Sequence, residues 1–391
     1  MKSQIFIIDD FTKYSKELGT SLRDIGENVH HLVPKKKIKN KFNEILKNNS
    51  QQNVKKIWSS KKFAIQIYNY VKKIENDKIV HIQHEFFGQS AIGSLLDNFI
   101  QIPLLLFLLK RNKIMTVITL HSILPQELST IEELLPKKIK PKKVISKIFL
   151  VYLKIWYGIV GKLCSKIIVH GECFKNTLIQ DYGIKSKKIY VVRHGILTDF
   201  QHKFKKTHNE KIILYFGVIS PRKGIENLIE SYKIFFKKNP NSKLIIIGKE
   251  PDYYKGYLEK IEKTVKKENL EKNIIFTGFQ EDEQLSEWLS NTDILVLPYT
   301  SSTAASGVFS IGLNRKIPMI VTKTKFFEEE TENGSCALLV PPNNNKELSN
   351  ALKNLLEDTE LKKNMLKNQN IVAEKRSWRN IAIHTQNTYS D

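Results

Sequence analysis

Ten short runs rich in aliphatic and β-branched residues recur along the chain, each followed by a polar or amphipathic stretch. SQIFIID, KIVHIQH, MTVITLH, SKIIVHG and KIYVVRHG fall in the first half; KIILYFGVI, SKLIIIG, NIIFTGF, DILVLPY and IPMIVT fall in the second. Runs of this kind read as buried strands, and patterns such as GIENLIESYKIFFKK between them read as helices. Parallel neighbours need a crossover connection, so the alternation predicts parallel sheets with helices on both faces. At 391 residues the chain exceeds one domain of roughly 100–200 residues. The expected architecture is α/β, with two doubly wound, Rossmann-like domains facing a central cleft. Residues 199–211, DFQHKFKKTHNEK, are polar and lack apolar periodicity, which places the boundary there. The expected units are 1–200, 201–373 and a terminal helix, 374–391, packing back toward the first domain.

Ligands of such sheets bind beyond the carboxyl ends of the strands. After KIILYFGVI comes SPRKG, with Arg222, Lys223 and Gly224 opening a helix. Two cations at a helix N-terminus oppose the helix dipole unless an anion sits there. After DILVLPY comes TSSTAASGVFSIGLNRKIPMIVT, in which Ser306 and Gly307 open a second helix in the same half. Unpaired N–H groups at such a terminus suit a phosphate, and glycine leaves room for close backbone approach.

Composition narrows the partners. Residues 1–200 hold 34 Lys+Arg against 16 Asp+Glu, a balance of +18, and residues 201–391 hold 29 against 24, or +5. A basic half implies an anionic partner: nucleic acid, an acidic membrane surface or a phosphorylated substrate. The lysines lack aromatic interleaving and fit no helix-turn-helix or zinc pattern, which argues against nucleic acid. Cys164, Cys173 and Cys336 form neither a metal-ligand spacing nor a disulfide framework, so a reducing compartment is expected. MKSQIFIIDD turns acidic too early for a signal peptide, and IPLLLFLL falls short of the ~20 residues of a membrane span. The expectation is a cytoplasmic protein, peripheral on the inner face of the membrane. Residues three apart on a strand face opposite ways, so His81 and His84 of HIQHEF should not share a metal.

The order GVISPRKGIENLIESYKIF, KLIIIGKEPD, NIIFTGF, DILVLPYTSSTAASGVFSIGLNRKIPMIVT resembles the C-terminal half of retaining glycosyltransferases of family 4, which have the glycosyltransferase B fold. HIQHEFF, TLHSILP, IIVHGECFK, YVVRHGI and the closing WRNIAIHTQNTY extend the resemblance over nearly the whole chain. It implies a donor site in which Lys223 meets the diphosphate, Arg222, Gly224 and Phe279 line the pocket, and Ser306, Gly307 and Val308 present backbone N–H groups. His121 would orient the donor sugar, His84 and Glu85 would meet the acceptor, and His194 with Gly195 form either a cleft contact or a structural turn. The departing phosphate would help to remove the acceptor proton, with no metal or other cofactor.

Three departures stand out. Val218 replaces a frequent arginine. The family's paired glutamates fall on Thr303 and Ile311, and isoleucine accepts no hydrogen bond. DDFTKYSKELG, with Gly19 late, replaces a glycine-rich loop after the first strand. The resemblance implies a metal-independent, hexosyltransferase-like enzyme moving a sugar from a nucleotide diphosphate sugar to a glycan or lipid-linked acceptor. The departures leave open a catalytically weak or inactive partner subunit. Residues 136–163 predict an amphipathic helix with an apolar stripe through Val144, Ile145, Ile148, Phe149, Tyr152, Ile155, Trp156, Ile159, Val160 and Leu163. Preceded by Lys137, Lys138, Lys140, Lys142 and Lys143, it is expected to dock on an anionic membrane.

Overall fold

The computed structural model describes residues 3–9, 12–35, 53–59, 62–86, 95–135, 140–196 and 209–391. Most of the expected boundary segment, 199–208, and Lys137 and Lys138 of the basic cluster lie outside the described residues. The first domain runs β1 (Gln4–Ile8), α1 (Lys13–Asp24), β2 (Asn28–Pro34), β3 (Val54–Trp58), α2 (Phe63–Lys72), β4 (Lys78–His84), α3 (Leu95–Arg111), β5 (Met115–Leu120), α4 (Leu128–Leu134), α5 (Lys142–Leu163), β6 (Lys166–Val169), α6 (Glu172–Gln180) and β7 (Ile189–Val191). The second runs β8 (Lys211–Phe216), α7 (Ile225–Phe236), β9 (Ser242–Ile247), α8 (Tyr257–Lys267), β10 (Ile274–Gly278), α9 (Asp282–Asn291), β11 (Ile294–Leu297), α10 (Gly307–Arg315), β12 (Met319–Thr322), α11 (Lys325–Glu330), β13 (Leu338–Val340), α12 (Asn345–Glu357) and α13 (Thr359–Lys375). A last helix, α14 (Trp378–Ser390), follows.

All ten expected runs are strands, and every strand pairing is parallel. The sheet orders are β3-β2-β1-β4-β5-β6-β7 and β10-β9-β8-β11-β12-β13. Central strands such as β11 are buried throughout, as parallel strands covered on both faces must be. In each order the direction of winding reverses once, between β1 and β4 and between β8 and β11. Those two switch points are where such sheets leave a crevice.

The helix α14 leaves the second domain and packs on the first. Trp378, Ile381, Ala382 and Tyr389 share one buried cluster with Tyr14, Leu18 and Leu22 of α1 and with Ile5, Ile7, Val117 and Ile168 of the sheet. Gly19 lies within α1, where a Cβ would collide with the ring of His31 on β2, so this glycine serves helix–sheet packing.

A charged seam also joins the domains. The Glu329 carboxylate accepts from the first-turn amides of α6, Glu172 N at 2.7 Å and Cys173 N at 2.6 Å. It thereby caps from across the interface two donors that a helix start leaves open. Arg193 donates to Glu329 and Glu330 at 3.1 Å each, and Arg376 donates to Glu330 at 2.6 Å. Glu330 and Arg376 are both buried. Removing one partner of a buried pair leaves the other charge uncompensated, which costs about 3–5 kcal/mol. Arg193 still faces Glu330 when Arg376 is removed, so Arg376→Ala should lose less than that full cost in denaturant unfolding, and the double variant Glu330→Leu, Arg376→Leu should recover part of the loss.

Candidate active site

The switch point between β8 and β11 is built from two interlocked turns. After β8 the chain passes Gly217, whose φ is 134°, makes one 3-10 turn at Pro221–Lys223 and reaches Gly224 at φ 67°. A Cβ on Gly224 would collide with the carbonyl oxygen of Pro298, so only glycine lets this turn lie on the end of β11. The Arg222 carbonyl accepts from Thr300 N at 3.0 Å, and Arg222 Nη1 donates to Thr303 Oγ1 at 2.7 Å. Lys223 Nζ sits 3.5 Å from the centre of the Tyr299 ring. SPRKG and TSST thus form one unit.

That unit is poised for an anion. Burial, and then the neighbouring Arg222 charge, push the Lys223 ammonium down to about 7. Beside it begins α10. Ser306 caps the helix by accepting from Phe309 N at 3.3 Å, while Ser310 N bonds to the Ser306 carbonyl. Gly307 and Val308 are half-exposed residues whose amides precede the first intrahelical bond, so the helix itself leaves those donors unused. Two cations, one resting on an aromatic face, and free helix-terminal amides can together hold a diphosphate.

The first domain meets this unit directly. Ser122 forms an antiparallel bridge with Ala304, and Ile123 N donates to the Thr303 carbonyl at 2.7 Å. His121, one residue earlier, is tied into its own domain. His170 Nδ1 lies 2.8 Å from the Val192 carbonyl and donates to it, so His170 Nε2 accepts from His121 Nδ1 at 3.0 Å. His121 Nε2 faces the Gln83 amide at 2.9 Å. Burial and the adjacent His170 and His194 hold His121 well below its usual range, and a neutral ring requires Gln83 to turn its NH2 end toward it. Tyr14 lies edge-on to His121 with ring centres 4.7 Å apart.

The remaining expected residues separate. Burial raises the Tyr253 phenol above its ordinary value, with Arg222 lowering and Glu85 raising it further, so Tyr253 feels both charges. His84 departs from the expectation of an acceptor contact: it is buried, stacked on Trp156 with ring centres 4.7 Å apart, and turned into the first domain's core. Ile311 is likewise buried in the core, and Thr303, one of the two positions on which the expected glutamates fall, offers Arg222 a hydroxyl. Phe279 stands 61% exposed beyond β10, two strands from the switch point, with Lys249 Nζ 5.7 Å from its ring centre. His194 bonds to its neighbour's carbonyl, Gly195 O, at 2.7 Å. Tyr299, Gln83, His170 and Tyr14 were not singled out from sequence. Strand-then-histidine recurs in TVITLH, SKIIVHG and KIYVVRHG, and that repetition was the available signal for the histidine cluster.

Residues 198–371 match the family model described as glycosyl transferases group 1. The second domain is a group 1 glycosyltransferase domain. Over 320 residues the chain is 25% identical to the alpha-monoglucosyldiacylglycerol synthase of Acholeplasma laidlawii, covering 79% of this chain and 75% of that one. Over 157 residues it is 26% identical to the alpha-D-kanosaminyltransferase of Streptomyces kanamyceticus, and there it spans 40% of this chain and 39% of that relative. A crystal structure of an Anabaena protein in complex with UDP aligns over 100% of both chains, with a TM-score of 0.71 and 15% identity. That likeness carries the fold, which is the two-domain glycosyltransferase B fold.

The Lys223 environment fixes a pH dependence. An anion bound beside Lys223 raises its pKa above the free value of about 7. Below pH 7 the charge is already present; above it, binding must recruit a proton. Affinity for uridine diphosphate should therefore fall between pH 7 and 9, by up to about tenfold per unit. Calorimetry in buffers of different ionisation heat should show proton uptake, and Lys223→Arg should flatten the profile. Gly224→Ala should weaken the same binding, because the turn must lift off Pro298.

Proposed function

We propose that this glycosyltransferase moves a sugar from a nucleotide diphosphate sugar to a lipid or lipid-linked glycan acceptor, with retention at the anomeric carbon. The observation that carries the reading is the interlocked pair of turns at the β8/β11 switch point, with Lys223 and Arg222 beside the free amides of α10. As the bond between anomeric carbon and phosphate oxygen lengthens, negative charge grows on the departing diphosphate. Fixed donors and cations in a half-buried site stabilise that charge without reorganising. The acceptor hydroxyl approaches the same face of the sugar, and its proton passes to the departing phosphate oxygen. His121 lies one residue from the contact with the donor turn and holds the sugar end of the cleft. Glu85 lies on the acceptor side. Lys223, Arg222 and the helix amides do the charge screening that a divalent ion performs elsewhere, so we propose metal-independent transfer.

Two likenesses support the reading. The Acholeplasma relative is named for a glycosylated diacylglycerol, and the Anabaena neighbour was crystallised with UDP. On this reading the acceptor sits at a membrane surface and the protein works there as a peripheral one.

A screen of uridine and guanosine diphosphate sugars, followed by anomeric proton NMR of the product, tests both donor and stereochemistry; an inverted product refutes retention. Lys223→Ala should reduce kcat/KM for the donor by about 10- to 100-fold, the loss of one charge-assisted contact of ~1.5–3 kcal/mol. His121→Ala should lower kcat more than it raises donor KM. Turnover should be unchanged in excess chelator. Folded protein that binds no nucleoside diphosphate would instead be the inactive partner subunit.

A further inference from the structure

The helix α5 is long and apolar enough by length and composition to cross a membrane, yet one side of it is fixed in the core. Ser146, Leu153, Trp156, Tyr157 and Val160 are buried. Trp156 and Val160 thus leave the expected outward stripe, and Val151 joins it. At 100° per residue the opposite arc carries Val144, Ile148, Val151 and Ile155. Beside it runs α3: Phe99 stacks on Tyr152 with ring centres 3.8 Å apart, and Lys110 Nζ donates to the Lys162 carbonyl at 2.8 Å. These two contacts, eleven and ten positions further along each helix, set α3 and α5 parallel and side by side. Ile100 and Phe107, seven residues apart on α3, face outward as well. All six side chains are 50–64% exposed.

Among the described side chains of α3 and α5 the charges have one sign. Lys143, Lys147 and Lys154 follow one another along α5 on the flank away from α3, and Lys110, Arg111 and Lys162 close one end, all exposed. The sequence of α5 contains no Asp or Glu. A soluble partner of mixed surface would leave most of these cations unpaired. A bilayer surface takes the apolar arc into its acyl boundary while lysines extend to anionic headgroups.

We infer that the outward faces of α3 and α5 form one docking platform for an anionic bilayer, with α5 lying along the membrane surface and not across it. The platform reaches the cleft through its inner side. Leu124 N donates to the Tyr157 hydroxyl at 3.3 Å, and the Gln126 side chain donates to the Leu150 carbonyl at 3.0 Å. The same loop bonds to Thr303 through Ile123. A lipid-borne acceptor would thus be delivered beside the donor turns; that purpose rests on the function proposed above, whereas the surface itself does not.

The full chain, sedimented with vesicles of phosphatidylglycerol and phosphatidylcholine, should pellet with them and not with pure phosphatidylcholine. Ile148→Ser, Val151→Ser and Ile155→Ser combined should cut the bound fraction about tenfold at low salt, while uridine diphosphate binding and the melting temperature stay at wild-type values. Lys143→Gln, Lys147→Gln and Lys154→Gln combined should weaken binding and flatten its salt dependence. Wild-type binding by the serine variant overturns the platform. So does a dimer in sedimentation velocity that this variant dissociates, which would assign the face to a second copy. Retention of wild-type protein in vesicles after alkaline carbonate would show a span and overturn the surface orientation. Vesicle binding without transfer to any lipid acceptor would leave the platform standing and remove the proposed acceptor.

Discussion

Thr303 carries two hydrogen bonds on which the site depends. Its hydroxyl accepts from Arg222 and its carbonyl accepts from Ile123 N. The first joins the two turns of the second domain into one anion cradle; the second fixes that cradle against the first domain. A glutamate here would answer Arg222 with a full negative charge beside the place where a diphosphate must sit. A hydroxyl holds the guanidinium by geometry and leaves its charge unneutralised for a ligand. The substitution that looks like a lost carboxylate thus preserves the positive potential of the site.

The alternation of strands and helices was legible because each inner strand is buried on both faces and reads as an unbroken apolar run. The strands that escaped are those at or near sheet edges. β3 exposes Lys55 and Lys56, β2 places His30 and His31 in its middle, and β13 has only three residues. The opposed faces of His81 and His84 followed from strand periodicity alone: His81 Nδ1 bonds to the Tyr389 hydroxyl while His84 lies on Trp156. What periodicity does not supply is which face meets solvent. His84 ends its strand like a site residue, yet its face is the one covered by α5.

The same limit explains α5. Both arcs of this helix are apolar, so counting at the helical period returns one broad stripe and no inside. Its lysines also break every long apolar run, which hides from run length a helix that whole-segment composition reveals. Lys223 shows a different kind of illegibility. Its partner Tyr299 is 76 positions away and was read only as the end of a strand, so the aromatic support for the cation emerges only when β8 and β11 become neighbours.

The packing of α14 on α1 has a temporal side. The bond between His81 and Tyr389 spans 308 positions, and beside it α14 joins α1 in one buried cluster on a face of the first sheet. During synthesis the part of that face and of α1 that α14 covers stays exposed until the second domain and α14 have left the ribosome. Contacts of such sequence separation form late and slowly. The first domain, though made first, is therefore the one that waits with apolar surface exposed.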